Sequence, residues 1–135
     1  ALKHGNITVF GGDQTRPNIH IQDIANIYRH FLNHPQIASG CYNAGFENLS
    51  ILAIAEMVKS KLGAEIVVSA SNDPRSYRQD SSKLLATGFK PSYSVANAIE
   101  EIATAHSKGE LPDGDSCYTV KWMKHLELAA PAISA

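Results

Sequence analysis

Two arginines stand out in this sequence because each lies in a segment suited to holding an anion. Arg16 follows the glycine turn Gly11-Gly12-Asp13 and precedes a predicted strand, and Arg75 lies in the loop sequence DPRSY. A guanidinium can donate two parallel hydrogen bonds to a phosphate, and one such charge-assisted contact is worth roughly 1.5–3 kcal/mol. The pair therefore predicts a site for a phosphate-bearing ligand.

Each arginine also has a purely structural interpretation. Arg16 can pair with Asp13 or Asp23 at the surface, because arginine forks serve structural ion pairs too. Arg75 can be an ordinary loop arginine, although loops on a rigid scaffold are where binding residues concentrate. Tyr77 can stack on a ligand or hydrogen-bond to it, or it can pack half-buried against the protein.

The sequence lacks the residue patterns of several other kinds of functional site. The sequence contains no GxGxxG, no GxxxxGK[ST] and no GxSxG. His20 has no neighbour that would orient it as a base, which favours a structural hydrogen bond, and the helical histidines are not at metal-ligand spacing. Cys41 and Cys117 form neither a disulfide framework nor a metal cluster, and Cys41 is expected to be buried.

Length and charge set the class of protein. A chain of 135 residues can bury one core, and a net charge of −1 produces no general field that would attract nucleic acid or an acidic membrane. No apolar run approaches the length of about 18 residues that a membrane span needs. Residues 1–5 read as the end of a helix with a glycine just past it, so the natural chain is expected to begin earlier.

Short strands alternate with helices, which predicts a small α/β unit. Strands are expected at residues 7–10, 18–21, 40–45 and 65–70, with Thr8 and Phe10 on one face of the first. The predicted helix N-caps are Asp23, Ser50, Asp80 and Ser94. A polar loop is expected at 111–116, weak helix at 118–128 and disorder from residue 129.

Three blocks of sequence together resemble the C-terminal half of the extended short-chain dehydrogenase/reductases. More narrowly, they resemble the NAD-dependent nucleotide-sugar epimerase/dehydratase family. The blocks are ITVFGGDQTRPNIHIQDIA, GCYNAGFENLSILAIAEMV and DPRSYRQDSSKLLATGFKPSYSVANAIEEI, and they follow the family's order. The resemblance implies the C-terminal part of a Rossmann-like fold plus its small α/β substrate-binding domain over residues 1–110, followed by a polar loop and tail over 111–135.

In that family this half grips the nucleotide diphosphate of the sugar donor. The resemblance implies that residues 8–10 line the base pocket, that Arg16 contacts the nucleotide or its phosphates, and that Arg75 binds the pyrophosphate. The complete set of implied substrate-binding residues is Thr8, Phe10, Gln14, Arg16, Arg75 and Tyr77. It includes no catalytic, cofactor-binding or metal-binding residue.

Relatives hold NAD and a catalytic Tyr-x-x-x-Lys in an N-terminal half. None of the five tyrosines here has a lysine four residues later, and Tyr118 has Lys121 three residues on. The resemblance therefore implies that NAD and the catalytic residues come from a missing N-terminal Rossmann half. The expected partners are that half and a nucleotide-diphosphate sugar, and neither nucleic acid nor a membrane is expected. The protein is expected to be cytoplasmic, and its relatives often form homodimers.

Two other functions stay open from the sequence. The chain can be a stand-alone module that binds a nucleotide sugar without converting it, although the short strands look like pieces of a larger sheet. It can also be a structural remnant that covers another protein chain with unpaired strand edges and exposed helix stripes. Partner binding would then not depend on Arg16 or Arg75.

Overall fold

The structure, a computed structural model, describes residues 1–126, which form a small mixed α/β arrangement with five α-helices and two two-stranded sheets. The chain divides into two units, Ala1–Ala103 and Thr104–Ala135. None of the helices in the described part has the length and apolar character that crossing a lipid bilayer requires. The disorder predicted from residue 129 lies outside the described residues.

The strands pair in two separate ways. Strands β1 (Asn6–Phe10) and β4 (Glu65–Ser69) are parallel, while β2 (Thr15–Asn18) and β3 (Glu47–Ser50) are antiparallel. The helices are α1 (Ile21–Asn33), α2 (Ile51–Leu62), α3 (Ser82–Leu85), α4 (Val95–Ser107) and α5 (Thr119–His125), with a 3-10 turn at Asp115–Cys117.

The predicted alternation of β1 is confirmed. Val9 is buried, whereas Thr8 and Phe10 are exposed on the other face. Helix α2 packs against β1 and β4 and has the predicted ends, because the Ser50 hydroxyl accepts a hydrogen bond from the Ala53 N–H at 3.0 Å. Gly63 follows the helix in the left-handed conformation, with φ 68°.

The strand predicted at residues 18–21 is wrong. Strand β2 ends at Asn18 and α1 begins at Ile21, whose side chain is exposed rather than inward. His20 is the N-cap of α1 in place of the predicted Asp23, since its Nδ1 accepts a hydrogen bond from the Gln22 N–H at 3.1 Å. The apparent two-residue alternation spans the end of β2, two residues in neither a strand nor a helix, and the first residue of α1.

Asp23 has a different structural role from the predicted cap. Its side chain is fully buried, and its carboxylate accepts hydrogen bonds from the N–H groups of Ser92 and Tyr93 at 3.0–3.1 Å. The His20 ring stacks on Tyr93 at 4.7 Å, and its Nε2 lies 3.2 Å from a carboxylate oxygen of Glu101. These contacts join the start of α1 to α4 and to the segment before it, and His20 makes the structural hydrogen bond that the sequence favoured.

The buried strand predicted at residues 40–45 is also wrong. The segment is in no strand, Cys41 is exposed, and only Gly45 is buried. Gly45 exchanges two hydrogen bonds with the Ser81 hydroxyl, at 3.0 and 3.1 Å. Within the described part of the chain, the N–H groups of residues 40–44 donate no hydrogen bond. The segment has strand-forming residues, but none of the strands within residues 1–126 pairs with it.

Candidate functional site

The glycine turn after β1 is shaped around the side chain of Gln14. Gly11 has φ 79°, and a Cβ added there would collide with the Gln14 amide, so both conformation and space favour glycine. That amide accepts a hydrogen bond from the Gly12 N–H at 2.7 Å and donates to the carbonyl oxygens of Phe10 and Asp73 at 3.3 and 3.1 Å. Gln14 therefore joins the turn to the loop that carries the second arginine.

That loop, which follows β4, is held along the β2–β3 sheet by paired hydrogen bonds. The Tyr77 N–H donates to the Thr15 carbonyl at 2.9 Å, and the Thr15 N–H donates to the Ser76 hydroxyl at 3.0 Å. Further on, Asn48 and Gln79 exchange two hydrogen bonds of 2.8 and 3.1 Å between side chain and backbone. The main chain of the loop is thus positioned although it belongs to no helix or strand.

The two predicted arginines meet at one carboxylate, Asp73. The Arg75 guanidinium grips it bidentately, with Nε 2.6 Å from Oδ1 and Nη2 2.9 Å from Oδ2. The Arg16 Nη2 lies 3.6 Å from the same Oδ2, and its Nη1 donates to the Arg75 carbonyl at 2.7 Å. We call Arg16, Asp73 and Arg75 the arginine cluster. Arg16 therefore pairs with Asp73 and not with Asp13 or Asp23.

The cluster carries two positive groups and one negative group, so it retains a net positive charge at neutral pH. Hydrogen bonds from Arg75, with a smaller contribution from Arg16, lower the pKa of the Asp73 carboxyl to about 2. Asp73 in turn raises the pKa of the Arg75 guanidinium. The Asp73 side chain is 32% exposed and that of Arg75 is more so, and the whole cluster is therefore open to a ligand from solvent.

Two features border the cluster. The Arg16 guanidinium lies 5.0 Å from the centre of the Tyr77 ring, a cation–π contact that orients its fork. A cavity of about 320 Å³ lies between the glycine turn and the start of the loop, and its lining includes Asp13, Ser71 and Asp73. The structure thus places Tyr77 against Arg16 and provides open space beside the cluster.

The six predicted site residues fall into two groups. Gln14, Arg16, Arg75 and Tyr77 are linked directly or through Asp73. Thr8 and Phe10 lie on the exposed face of β1, where Val67 of β4 is opposite Thr8 and also exposed. Phe10 is next to the glycine turn, so its ring offers an apolar face near the cluster without contacting it.

Asp73 is the residue that the sequence reasoning missed, since the loop motif gave it no role of its own. One signal was available, because aspartate before proline often accepts a hydrogen bond from the backbone two residues on. The structure has this bond, from the Arg75 N–H to the Asp73 Oδ1 at 3.1 Å. The turn chemistry of the loop therefore places the carboxylate beside the second arginine.

The arrangement is suited to binding an anion. Two guanidinium forks, an aromatic ring and a rigid turn can hold phosphate oxygens, but no histidine or nucleophile belongs to the arginine cluster. In the described residues, no group of three or more His, Cys, Asp or Glu side chains could hold a metal ion. The glycine turn continues into β2, whereas the turn of a dinucleotide site opens a helix, so this turn does not have the arrangement that holds NAD.

A second surface is apolar and lies on α1. Ile21, Tyr28 and Leu32 project along one stripe and are 73%, 71% and 81% exposed. A groove of about 720 Å³, lined by residues that include Tyr28 and Phe31, lies between α1 and residues 35–44. We call the stripe and groove the α1 surface.

The chain matches no protein-family model. What the structure establishes is a small mixed α/β fold with an arginine cluster formed by β2 and the loop after β4. The similarity to the epimerase/dehydratase family rests on the sequence blocks and stays a prediction.

Proposed function

We propose that this chain is the nucleotide-sugar-binding portion of an NAD-dependent sugar epimerase/dehydratase of the extended short-chain dehydrogenase class. The observation that carries the proposal is the convergence of Arg16 and Arg75, which are 59 positions apart, on one carboxylate beside a glycine turn. Phosphate and carboxylate oxygens accept the same forked hydrogen bonds. A cluster that holds a carboxylate between two guanidinium groups can therefore hold a diphosphate.

In this proposal each part of the site contacts one part of the ligand. Arg75 and Arg16 donate hydrogen bonds to the two phosphate groups, and the Tyr77 ring holds the Arg16 guanidinium in position through its cation–π contact. Thr8 and Phe10 take the base, since an exposed aromatic ring next to the turn offers a stacking face. Gln14 acts through the backbone, because its amide already binds three backbone groups of the turn and loop.

The proposal assigns catalysis to the complete protein. An N-terminal Rossmann half would supply NAD and the tyrosine and lysine that move protons during sugar conversion. Two observations support such a partner: the N–H groups of residues 40–44 donate no hydrogen bond within residues 1–126, and the α1 surface beside them is apolar. A segment whose backbone N–H groups have no protein acceptor suits pairing with a further strand, and an exposed apolar stripe suits burial against another element.

Binding of nucleoside diphosphates to the full chain tests the proposal. We expect calorimetric titration with UDP, GDP, ADP and dTDP to show binding of at least one of them. Arg16→Ala or Arg75→Ala should each weaken that binding about tenfold, which corresponds to losing one charge-assisted contact. Arg78→Ala is the matched control, because Arg78 is an exposed arginine of the same loop outside the cluster. Equal effects of all three variants, or none, would contradict the assignment.

A second candidate function is that of a protein-interaction module, and the exposed α1 surface favours it. Association would then run through residues such as Tyr28 and Leu32. Sedimentation of the chain distinguishes the two. A complex that dissociates in Leu32→Glu and persists in the Arg16→Ala/Arg75→Ala double variant, in a chain that binds no nucleotide, would favour the interaction module.

A further inference from the structure

The centre of the arginine cluster is held by the protein's own carboxylate. Asp73 accepts hydrogen bonds from two guanidinium nitrogens of Arg75, and its Oδ2 lies 3.6 Å from the Arg16 Nη2. These are the donors that the proposed function assigns to the phosphates. A carboxylate and a phosphoryl group cannot both receive the same forked hydrogen bonds from one guanidinium.

We propose that Asp73 is an internal competitor for the phosphate, which occupies the place between the two arginines until a ligand displaces it. The inference rests on the proposed function and adds to it the residue that sets the affinity of the site. Asp73 would thereby determine binding specificity, because an anion binds only if its contacts with Arg16 and Arg75 are better than those of the carboxylate.

The Asp73 carboxylate has one backbone contact, from the Arg75 N–H to Oδ1 at 3.1 Å, and this bond is at the surface, where water can replace it when the side chain leaves. The Asp73 main chain is held by bonds of its own. The Asp73 N–H donates to the Ser71 hydroxyl at 3.1 Å, and its carbonyl accepts from the Gln14 amide at 3.1 Å. Both bonds hold the main chain and neither involves the carboxylate. The carboxylate is partly exposed, so rotation about its side-chain bonds moves it into water rather than into a packed core.

An opposite interpretation is that Asp73 positions the arginines for the ligand. The two interpretations predict opposite signs for Asp73→Asn. Asparagine keeps an oxygen that can accept the Arg75 N–H bond within the loop, but it removes the negative charge that holds the guanidinium groups. A competitor that loses its charge lets the ligand bind more tightly, whereas a positioning residue that loses its charge makes binding weaker.

Asp13→Asn provides the matched control. Asp13 lines the same cavity and its substitution changes the net charge of the chain by the same amount. Its side chain is exposed, and Arg16 and Arg75 make their ion pairs with Asp73 instead. The control therefore separates displacement of a bound carboxylate from a general change in local charge.

Calorimetric titration of the full chain with inorganic pyrophosphate tests the inference. We expect Asp73→Asn to bind pyrophosphate about fivefold more tightly than the unchanged chain, the scale of an exposed ion pair removed, and Asp13→Asn to change the affinity less than twofold. Arg75→Ala should weaken binding both when it is the single substitution and when it is combined with Asp73→Asn.

The other outcomes overturn specific parts of the account. If Asp73→Asn binds with the same or lower affinity while Arg75→Ala still weakens binding, the site stands and Asp73 is not a competitor. Equal gains in Asp73→Asn and Asp13→Asn would likewise reject displacement in favour of general charge. If the unchanged chain and Asp73→Asn both fail to bind pyrophosphate at millimolar concentration, the proposed function fails and the inference falls with it.

Discussion

The regions around Asp23 and Asp73 use the same chemical group in different ways. Asp23 is fully buried, and its carboxylate accepts hydrogen bonds from backbone N–H groups at residues 92 and 93. Asp73 is partly exposed, and its main ion-pair partners are two long arginine side chains. Backbone donors inside a packed region cannot move away, whereas arginine side chains at the surface can exchange one anion for another. The Asp23 carboxylate is therefore structural, whereas the Asp73 carboxylate lies where a ligand can replace it.

The largest effect that this comparison predicts is on stability. Asp23→Ala removes the buried carboxylate and leaves the N–H groups of residues 92 and 93 without their acceptor. We expect it to lower the free energy of unfolding by about 2–4 kcal/mol. Asp73→Ala should lower the urea midpoint much less, since its arginine partners lie at the surface and turn to water. Urea unfolding of both variants measures the difference. Equal destabilisation would contradict the division into structural and exchangeable carboxylates.

Replacing either arginine of the cluster should have a smaller effect, a change in the pKa of Asp73. Its pKa in the folded chain is depressed to about 2 from 3.8, so any stability it contributes is present above pH 3.8 and is lost as the pH falls through about 2. Arg75→Ala removes the main cause and should move the midpoint up towards 3.8, and Arg16→Ala should move it less.

The ¹³C chemical shift of the Asp73 side-chain carboxyl, followed against pH, reports this midpoint directly. Arg78→Ala serves again as the control and should leave it in place. An Asp73 midpoint near 3.8 in the unchanged chain would mean that the carboxylate is not held between the arginines in solution. The competition with phosphate would then lose its basis.

Elements defined by short-range contacts were predictable from the sequence. The ends of α2 follow from the Ser50 hydroxyl and the left-handed Gly63, and β1 and β4 follow from their β-branched residues. The β2–β3 pair was not predictable, because the sequences TRPN and ENLS lack strand character and their pairing joins distant segments. His20 was misassigned because the alternation of residues 18–21 crosses the boundary between β2 and α1, and so short an apolar pattern does not separate a strand from a connection.

The site was predictable in its residue types but not in its connections. Arg16 and Arg75 were selected because each is an arginine beside a turn or loop. Their contact through Asp73 needs long-range pairing, since β1 pairs with β4 and Thr15 of β2 bonds to the loop that carries Arg75. At residues 40–45 the prediction was wrong for a related reason. The segment has the residue types of a buried strand, but no strand within the described residues pairs with it.

The arginine cluster, and not the α1 surface, is the proposed binding site for a nucleoside diphosphate. The most direct test is a ¹H–¹⁵N chemical-shift titration of the full chain with UDP, or with whichever nucleoside diphosphate binds best by calorimetry. We expect the largest amide shifts in residues 10–16 and 71–77, with smaller ones along β1. Shifts confined to α1 and residues 35–44, or none at millimolar ligand, would contradict it.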